Sequence, residues 1–152
     1  MLFRSSLRLE KGWGVWTLDF RPDFTAAESG LDAFIDWTKD FVGKRSLTRS
    51  DMAKPDRKQL VGILTDDPEV VLPEGAHLVE RVEPQPPMAM LGHVSSSYYS
   101  PNVGRSIALA LVKGGLARKG QKLTAPLLDG RKIPCTVVDP VFFDPEGERL
   151  RG

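Results

Sequence analysis

Gly92–Gly115, GHVSSSYYSPNVGRSIALALVKGG, gathers the side chains that do nucleophilic and acid–base chemistry. His93, Ser95, Ser96, Ser97, Tyr98, Tyr99 and Ser100 crowd its first half. A serine nucleophile needs a base within hydrogen-bonding reach and a third group to orient that base. Ser96, His93 and Asp139 can be written as such a triad. Nothing in their spacing requires it, and no strand–turn–helix elbow surrounds any of these serines. Alternation gives a plainer reading. One strand carries Val94, Ser96 and Tyr98 on one face and His93, Ser95, Ser97 and Tyr99 on the other. Pro101, Asn102 and Gly104 make a loop, the last two tolerating left-handed backbone. Ser106–Val112 is the next strand, with Ile107, Leu109 and Leu111 on one face. Ala108 and Ala110 lie on the other, which suits close approach by a neighbour.

The remaining candidates read as structural. His77 and His93 are solvated or hydrogen-bonded strand residues. Cys135, the single cysteine, sits in an apolar strand as a buried, inert thiol. One cysteine allows no internal disulfide, and no Cys/His spacing suits a metal, so no metal ligand is assigned. This usage fits a reducing, cytoplasmic setting. Gly12, Gly14, Gly114 and Gly115 lack the lysine and spacing of a phosphate loop. Trp13, Trp16 and Trp37 belong to a core or a domain interface; a stacking platform for single strands also needs a basic groove. Asp66-Asp67 and DPEGERLR (Asp144–Arg151) read as solvated turns without calcium-loop spacing. Arg8 and Glu10, taken alone, are surface charges. No catalytic residue is assigned.

Composition narrows the function classes. Of 152 residues, 21 are basic and 20 acidic; a net charge of +1 gives no electrostatic pull toward nucleic acid or an anionic membrane. No apolar run reaches membrane-spanning length. The start, MLFRSSLRLEKG, has the Arg/Ser bias of a mitochondrial presequence but is short and soon turns acidic. With 12 prolines and 14 glycines, many short elements joined by turns are expected.

The elements fall into two textures. SSLRLEKGWGVW is the end of a helix or a strand. TAAESGLDAFIDW predicts a helix: Thr25 and Glu28 have capping-box spacing, and Leu31, Phe34 and Ile35 share a face. Gly30 inside it costs about 1 kcal/mol of helix preference. Ser46–Arg57 is a polar connector and the expected domain boundary. Beyond it, Lys58–Leu64, HLVERV, the two strands above, QKLTAPLL and KIPCTVV are strand candidates. Asp129-Gly130 turns the last pair as a hairpin, and Glu83–Pro87 is a proline-rich loop. Short strands with regular turns point to an antiparallel barrel or sandwich.

Longer motifs carry a resemblance. SLRLEKG (Ser6–Gly12), then Thr25-Ala26-Ala27-Glu28-Ser29-Gly30-Leu31, then KDFVGKRSL resemble the R-L-E-x-G, T-P-x-E-x-G-L and K-x-D-F-I-G-R/K motifs of the glycine-cleavage T-protein (aminomethyltransferase) family. Ala26 replaces the usual proline. GHVSSSYYSPNVGRSIALALV is similar to that family's barrel pattern, G-x-V-(T/S)-S…S-P…I-A-x-A-x-V. LPEGAHLVE, LLDGRKIP and DPVFFDPEGERLRG most resemble the α subunit of heterotetrameric sarcosine oxidase within it.

The resemblance implies a mostly β chain with an α+β lead-in. Residues 1–46 would be a remnant of the folate-binding region, and residues 47–152 an antiparallel β-barrel of the aminomethyltransferase type. It implies tetrahydrofolate as cofactor, capturing an electrophilic one-carbon unit beside an acid/base carboxylate. Of the folate contacts it carries over one, Arg8, whose guanidinium suits a folate carboxylate or the polar edge of the pterin. The family's catalytic aspartate and pterin-binding glutamate lie upstream of R-L-E and match nothing here. The expectation is therefore the C-terminal portion of a folate-dependent one-carbon transferase or sarcosine oxidase α subunit, inactive by itself. Its partner would be another subunit or the missing N-terminal half. The alternatives are a non-enzymatic barrel module derived from that family, with Trp13, Trp16, Phe20 and Phe24 as its contact, and an unrelated barrel binding domain.

Overall fold

The computed structural model describes residues 2–85 and 87–152; Met1 of the presequence-like start and Pro86 of the proline-rich loop lie outside them. Residues 58–138 form a six-stranded, closed antiparallel barrel in the order β1-β4-β3-β2-β5-β6. The strands are β1 (Lys58–Thr65), β2 (His77–Val79), β3 (Met90–Ser100), β4 (Arg105–Lys113), β5 (Lys122–Pro126) and β6 (Lys132–Val138). Closure comes from β1 pairing with both β4 and β6. The thinnest seam is β2 with β5, registered at Val79 and Thr124 alone. Gly130 takes φ +86° in the β5–β6 hairpin, as the Asp-Gly pair predicts.

Alternation sorts the side chains into two clusters. Val61, Ile63, Leu78, Val94, Ala108, Ala110, Leu123, Cys135 and Val137 belong to the cluster that fills the barrel. Leu60, Ile107, Leu109 and Leu111 face outward and pack with Leu9. The alanine face of β4 is thus the inner one, where small side chains fit the narrow interior. Glycine is required where strands press together: a Cβ on Gly92 would lie 2.2 Å from the Leu111 carbonyl oxygen.

The lead-in is α1 (Leu2–Glu10) followed by turns, one short 3₁₀ turn at Asp32–Phe34 and α2 (Lys44–Leu47). The helix predicted over 25–37 does not form. Its capping box does: the Thr25 N–H donates to Glu28 Oε2 at 2.8 Å, and the Glu28 N–H to Thr25 Oγ1 at 3.2 Å. Propagation fails because Gly30 turns left-handed, φ +74°, and Phe34 ends 85% exposed rather than on a buried face. Glu28 is instead spent on tertiary contacts. Its carboxylate accepts from Arg57 Nε at 2.7 Å and Nη2 at 3.2 Å, and its carbonyl accepts from the Leu60 N–H at 2.7 Å at the edge of β1.

Candidate functional site

Arg8 lies in the last turn of α1, and three consecutive residues there do separate work. Leu9 is fully buried in the outer cluster. Glu10 is 3% exposed and accepts from Ser100 Oγ at 2.5 Å and Asn102 Nδ2 at 3.0 Å. Arg8 donates through Nη1 to Asp19 Oδ2 at 2.7 Å and the Trp13 carbonyl at 3.0 Å, and through Nη2 to Ser96 Oγ at 2.8 Å. The reading of Arg8 and Glu10 as surface charges is therefore overturned. Both are the means by which the helix grips β3.

The local sequence explains the placement. The helix ends in a Schellman turn: the Trp13 N–H reaches the Arg8 carbonyl at 3.0 Å and the Gly12 N–H the Leu9 carbonyl at 2.9 Å, with Gly12 at φ +68°. That turn brings the Trp13 carbonyl back to the Arg8 side chain. Residues 15–20 then wind tightly, with the Asp19 and Phe20 N–H groups both on the Val15 carbonyl, and deliver Asp19 fully buried. Thr17 in this turn holds φ +77°, a strained setting for a β-branched residue.

A bulge in β3 completes the cluster. The register slips between Val94 and Ser96, so Val94 faces Ala110 inside while Ser96 and Tyr98 pair with Leu109 and Ile107 on the outer face. The predicted common face of Val94, Ser96 and Tyr98 is broken there. Ser95 and Ser96, neighbours that plain alternation would send to opposite faces, both donate to Asp19 Oδ1, at 2.5 and 2.9 Å.

The other candidates are not brought together. Ser96 is engaged with Asp19 and Arg8, Asp139 pairs with Lys119, and His93 lies opposite His77 across β2–β3. Burial first, then Lys58 and Arg21, hold His93 below its ordinary value. Burial pushes the Cys135 thiol up to about 12, which keeps it protonated and inert. Among the described residues no cluster of three His, Cys, Asp or Glu is placed to hold a metal, and no helix is long and apolar enough to cross a membrane. The tail is tied down more than a solvated turn would be: Asp144 pairs with Lys11 at 2.9 Å, which lowers its pKa, and the Phe142 and Phe143 N–H groups cap the Glu10 carbonyl.

Three cavities flank the lead-in. The widest, about 680 Å³, lies between Phe24, Glu28, Asp51, Lys54 and Arg57. One of about 440 Å³ lies between Glu28, Trp37, Leu47, Met52 and Arg57. The third, about 360 Å³, is bounded by Trp13, Phe20, Leu31, Phe34 and Pro140. Arg8 lines none of them. Trp13 and Trp16 are 72% and 65% exposed, so these indoles are outside the core; Phe20 and Phe24 instead pack on the outer cluster.

The glycine cleavage T-protein C-terminal barrel domain family matches residues 58–144, more than half of the chain. The chain belongs to that family. It is 43% identical over 96% of its length to the sarcosine oxidase subunit alpha of Corynebacterium sp. (strain P-1), covering 15% of that protein. It is 34% identical over 92% of its length to the aminomethyltransferase of Thermosynechococcus vestitus, covering 36% of it. The crystal structure of aminomethyltransferase T from Bartonella henselae superposes with a TM-score of 0.77 at 24% identity, over 93% of this chain and 38% of that one. This chain is therefore the family's C-terminal barrel with a lead-in, spanning a minor part of the relatives it matches.

Sequence reasoning singled out Arg8 but missed Asp19 and Ser95 in its cluster, and missed the burial of Glu10 against Ser100 and Asn102. The spacing of Asp19 carries no helical or strand period that would tie it to Arg8. The R-L-E motif was the available signal for Glu10.

Proposed function

We propose that this chain serves as the C-terminal portion of a tetrahydrofolate-dependent one-carbon (aminomethyl) transferase or of a sarcosine-oxidase-type α subunit, in the cytoplasm. Residues 1–46 are the end of its folate-binding region and residues 47–152 its barrel domain. The observation that carries this reading is the placement of Arg8. Its guanidinium is 16% exposed and held from three sides, and its Nε–H and second Nη2–H have no acceptor among the described residues. Those donors fit an oxygen-rich ligand edge such as a folate carboxylate. When bound, tetrahydrofolate would supply the one-carbon acceptor; Arg8 would orient it. The exposed Trp13 and Trp16, with Leu7 at 52% exposure, fit an apolar surface covered by the folate-binding half, whether in a longer chain or a partner subunit.

A second reading, a non-enzymatic barrel module, is favoured by one feature: Asp19 already balances the charge of Arg8. Calorimetric titration of tetrahydrofolate separates the two. The first reading expects weak binding that Arg8→Lys weakens by about tenfold, the loss of one charge-assisted hydrogen bond. It also expects no turnover of sarcosine or dimethylglycine by the chain alone. A folded protein that takes up no tetrahydrofolate sinks Arg8 as a folate contact made by this chain alone. Turnover by the chain alone sinks the view that it needs another half.

A further inference from the structure

We propose that Asp19 is the positioning residue for Arg8, fixing the plane of its guanidinium so that the remaining N–H groups point at an oxygen acceptor of the ligand. The inference rests on the reading of Arg8 as a folate contact. Asp19 is fully buried and its carboxylate is saturated. Oδ2 accepts from Arg8 Nη1 at 2.7 Å and the Val15 N–H at 2.8 Å, and Oδ1 from Ser95 at 2.5 Å and Ser96 at 2.9 Å. A carboxylate offers about four acceptor sites, so Asp19 has none left for a ligand. What it can do is hold Arg8.

The cluster closes as a ring. Ser96 accepts from Arg8 Nη2 and donates to Asp19, while Asp19 accepts from Nη1. Anchors on two nitrogens fix a planar group against rotation; the Trp13 carbonyl adds a third, on Nη1, but Asp19 is the charged anchor and also holds Ser96, so its loss loosens both nitrogens. The surrounding backbone is shaped to make this ring. The β3 bulge turns Ser95 and Ser96 toward one carboxylate, and the strained turn at Thr17 presents that carboxylate. Strain and a bulge meeting at one ion pair are what positioning requires. A surface ion pair needs neither.

Side-chain ¹⁵N NMR of the full chain tests the positioning directly. Arg8 should show resolved, slowly exchanging Nε and Nη signals in the wild type. Asp19→Asn should average them while leaving the amide signals of β4 to β6 in place. Ser96→Ala, which keeps the ion pair and removes one anchor, should give partial averaging and serves if Asp19→Asn does not fold. Tetrahydrofolate titrations then complete a double-mutant cycle. Asp19→Asn should weaken binding by about tenfold in the wild type and leave Arg8→Ala unchanged, as expected when one residue acts through the other. Freely averaging Arg8 signals in the wild type overturn the proposal. So does an Asp19→Asn loss that persists beside Arg8→Ala. An ordered Arg8 that Asp19→Asn releases, in a protein that takes up no tetrahydrofolate, upholds the positioning and sinks instead Arg8 as a folate contact made by this chain alone.

Discussion

The barrel and the lead-in are held in place by different means. Residues 58–138 close on themselves, with apolar side chains meeting inside and backbone ladders running round the circumference. Residues 2–57 contain no strand of that ladder and bury little of their own. They lie on the barrel's outer face through Leu9 and Leu60, and three polar joints fasten them there: Arg8–Asp19–Ser96, Glu10–Ser100 and the Glu28 carbonyl with the Leu60 N–H. The barrel holds by its own apolar interior and its own backbone ladder. The lead-in, too short of apolar surface, depends on directed contacts whose partners are far apart in sequence.

If those joints make one cooperative body, Leu9→Ala in the interface should act like Leu123→Ala inside the barrel. Both residues are buried, and each truncation should cost about 3 kcal/mol. All three tryptophans lie in the lead-in, so their fluorescence reports that region, while far-UV circular dichroism reports mainly the barrel. Both variants should show one thermal transition, coincident by the two probes and lowered together. A fluorescence transition that Leu9→Ala alone moves, ahead of the dichroism, would show that the lead-in unfolds by itself.

The Glu28–Arg57 pair sharpens the comparison with a smaller effect. Burial alone would raise the Glu28 pKa. Hydrogen bonds from Arg57 and Thr25 outweigh that and hold it below its ordinary 4.5. A carboxyl depressed in the folded state adds stability that is full above pH 4.5 and is lost as pH falls through the lower folded value. Arg57→Gln should cost about 2 kcal/mol at neutral pH, and less as the pH is lowered below that point. A deficit that stays constant down to acid unfolding would mean that the pair contributes nothing through charge.

The two regions were unequally legible in the sequence. Barrel strands announce themselves by alternation: Ile107, Leu109 and Leu111 against Ala108 and Ala110 gave both faces of β4 correctly. The Asp129-Gly130 turn declared its hairpin, and Cys135 its burial. The β3 bulge was invisible because one inserted residue changes the register without changing the composition, and it is what turned Ser95 and Ser96 to a single partner. In the lead-in, periodicity misled. The Thr25–Glu28 capping box is a local signal and formed; the helix after it needed a buried face, and the barrel offered Glu28 better partners than a helix would. Family likeness marked Arg8, but the residue that holds it, Asp19, sits in a turn with no period.

Thr17 offers the gentlest probe of this boundary. It is exposed, so replacing it removes no packing, yet it carries φ +77°. A left-handed setting costs a residue with a Cβ roughly 1–2 kcal/mol, whereas glycine adopts it freely at an entropic cost of about 0.5–1 kcal/mol in the unfolded chain. Thr17→Gly should therefore stabilise the protein by about 0.5 kcal/mol, with Thr17→Asn between the two. Where the gain appears matters more than its size. If the Asp19 turn is part of the cooperative body, fluorescence and dichroism should both shift upward in denaturant titrations. If only the fluorescence midpoint rises, relief of strain has steadied the lead-in without reaching the barrel, and the polar joints are a hinge between two stabilities. A loss of stability in both probes would mean that the turn needs the Thr17 side chain despite its strain.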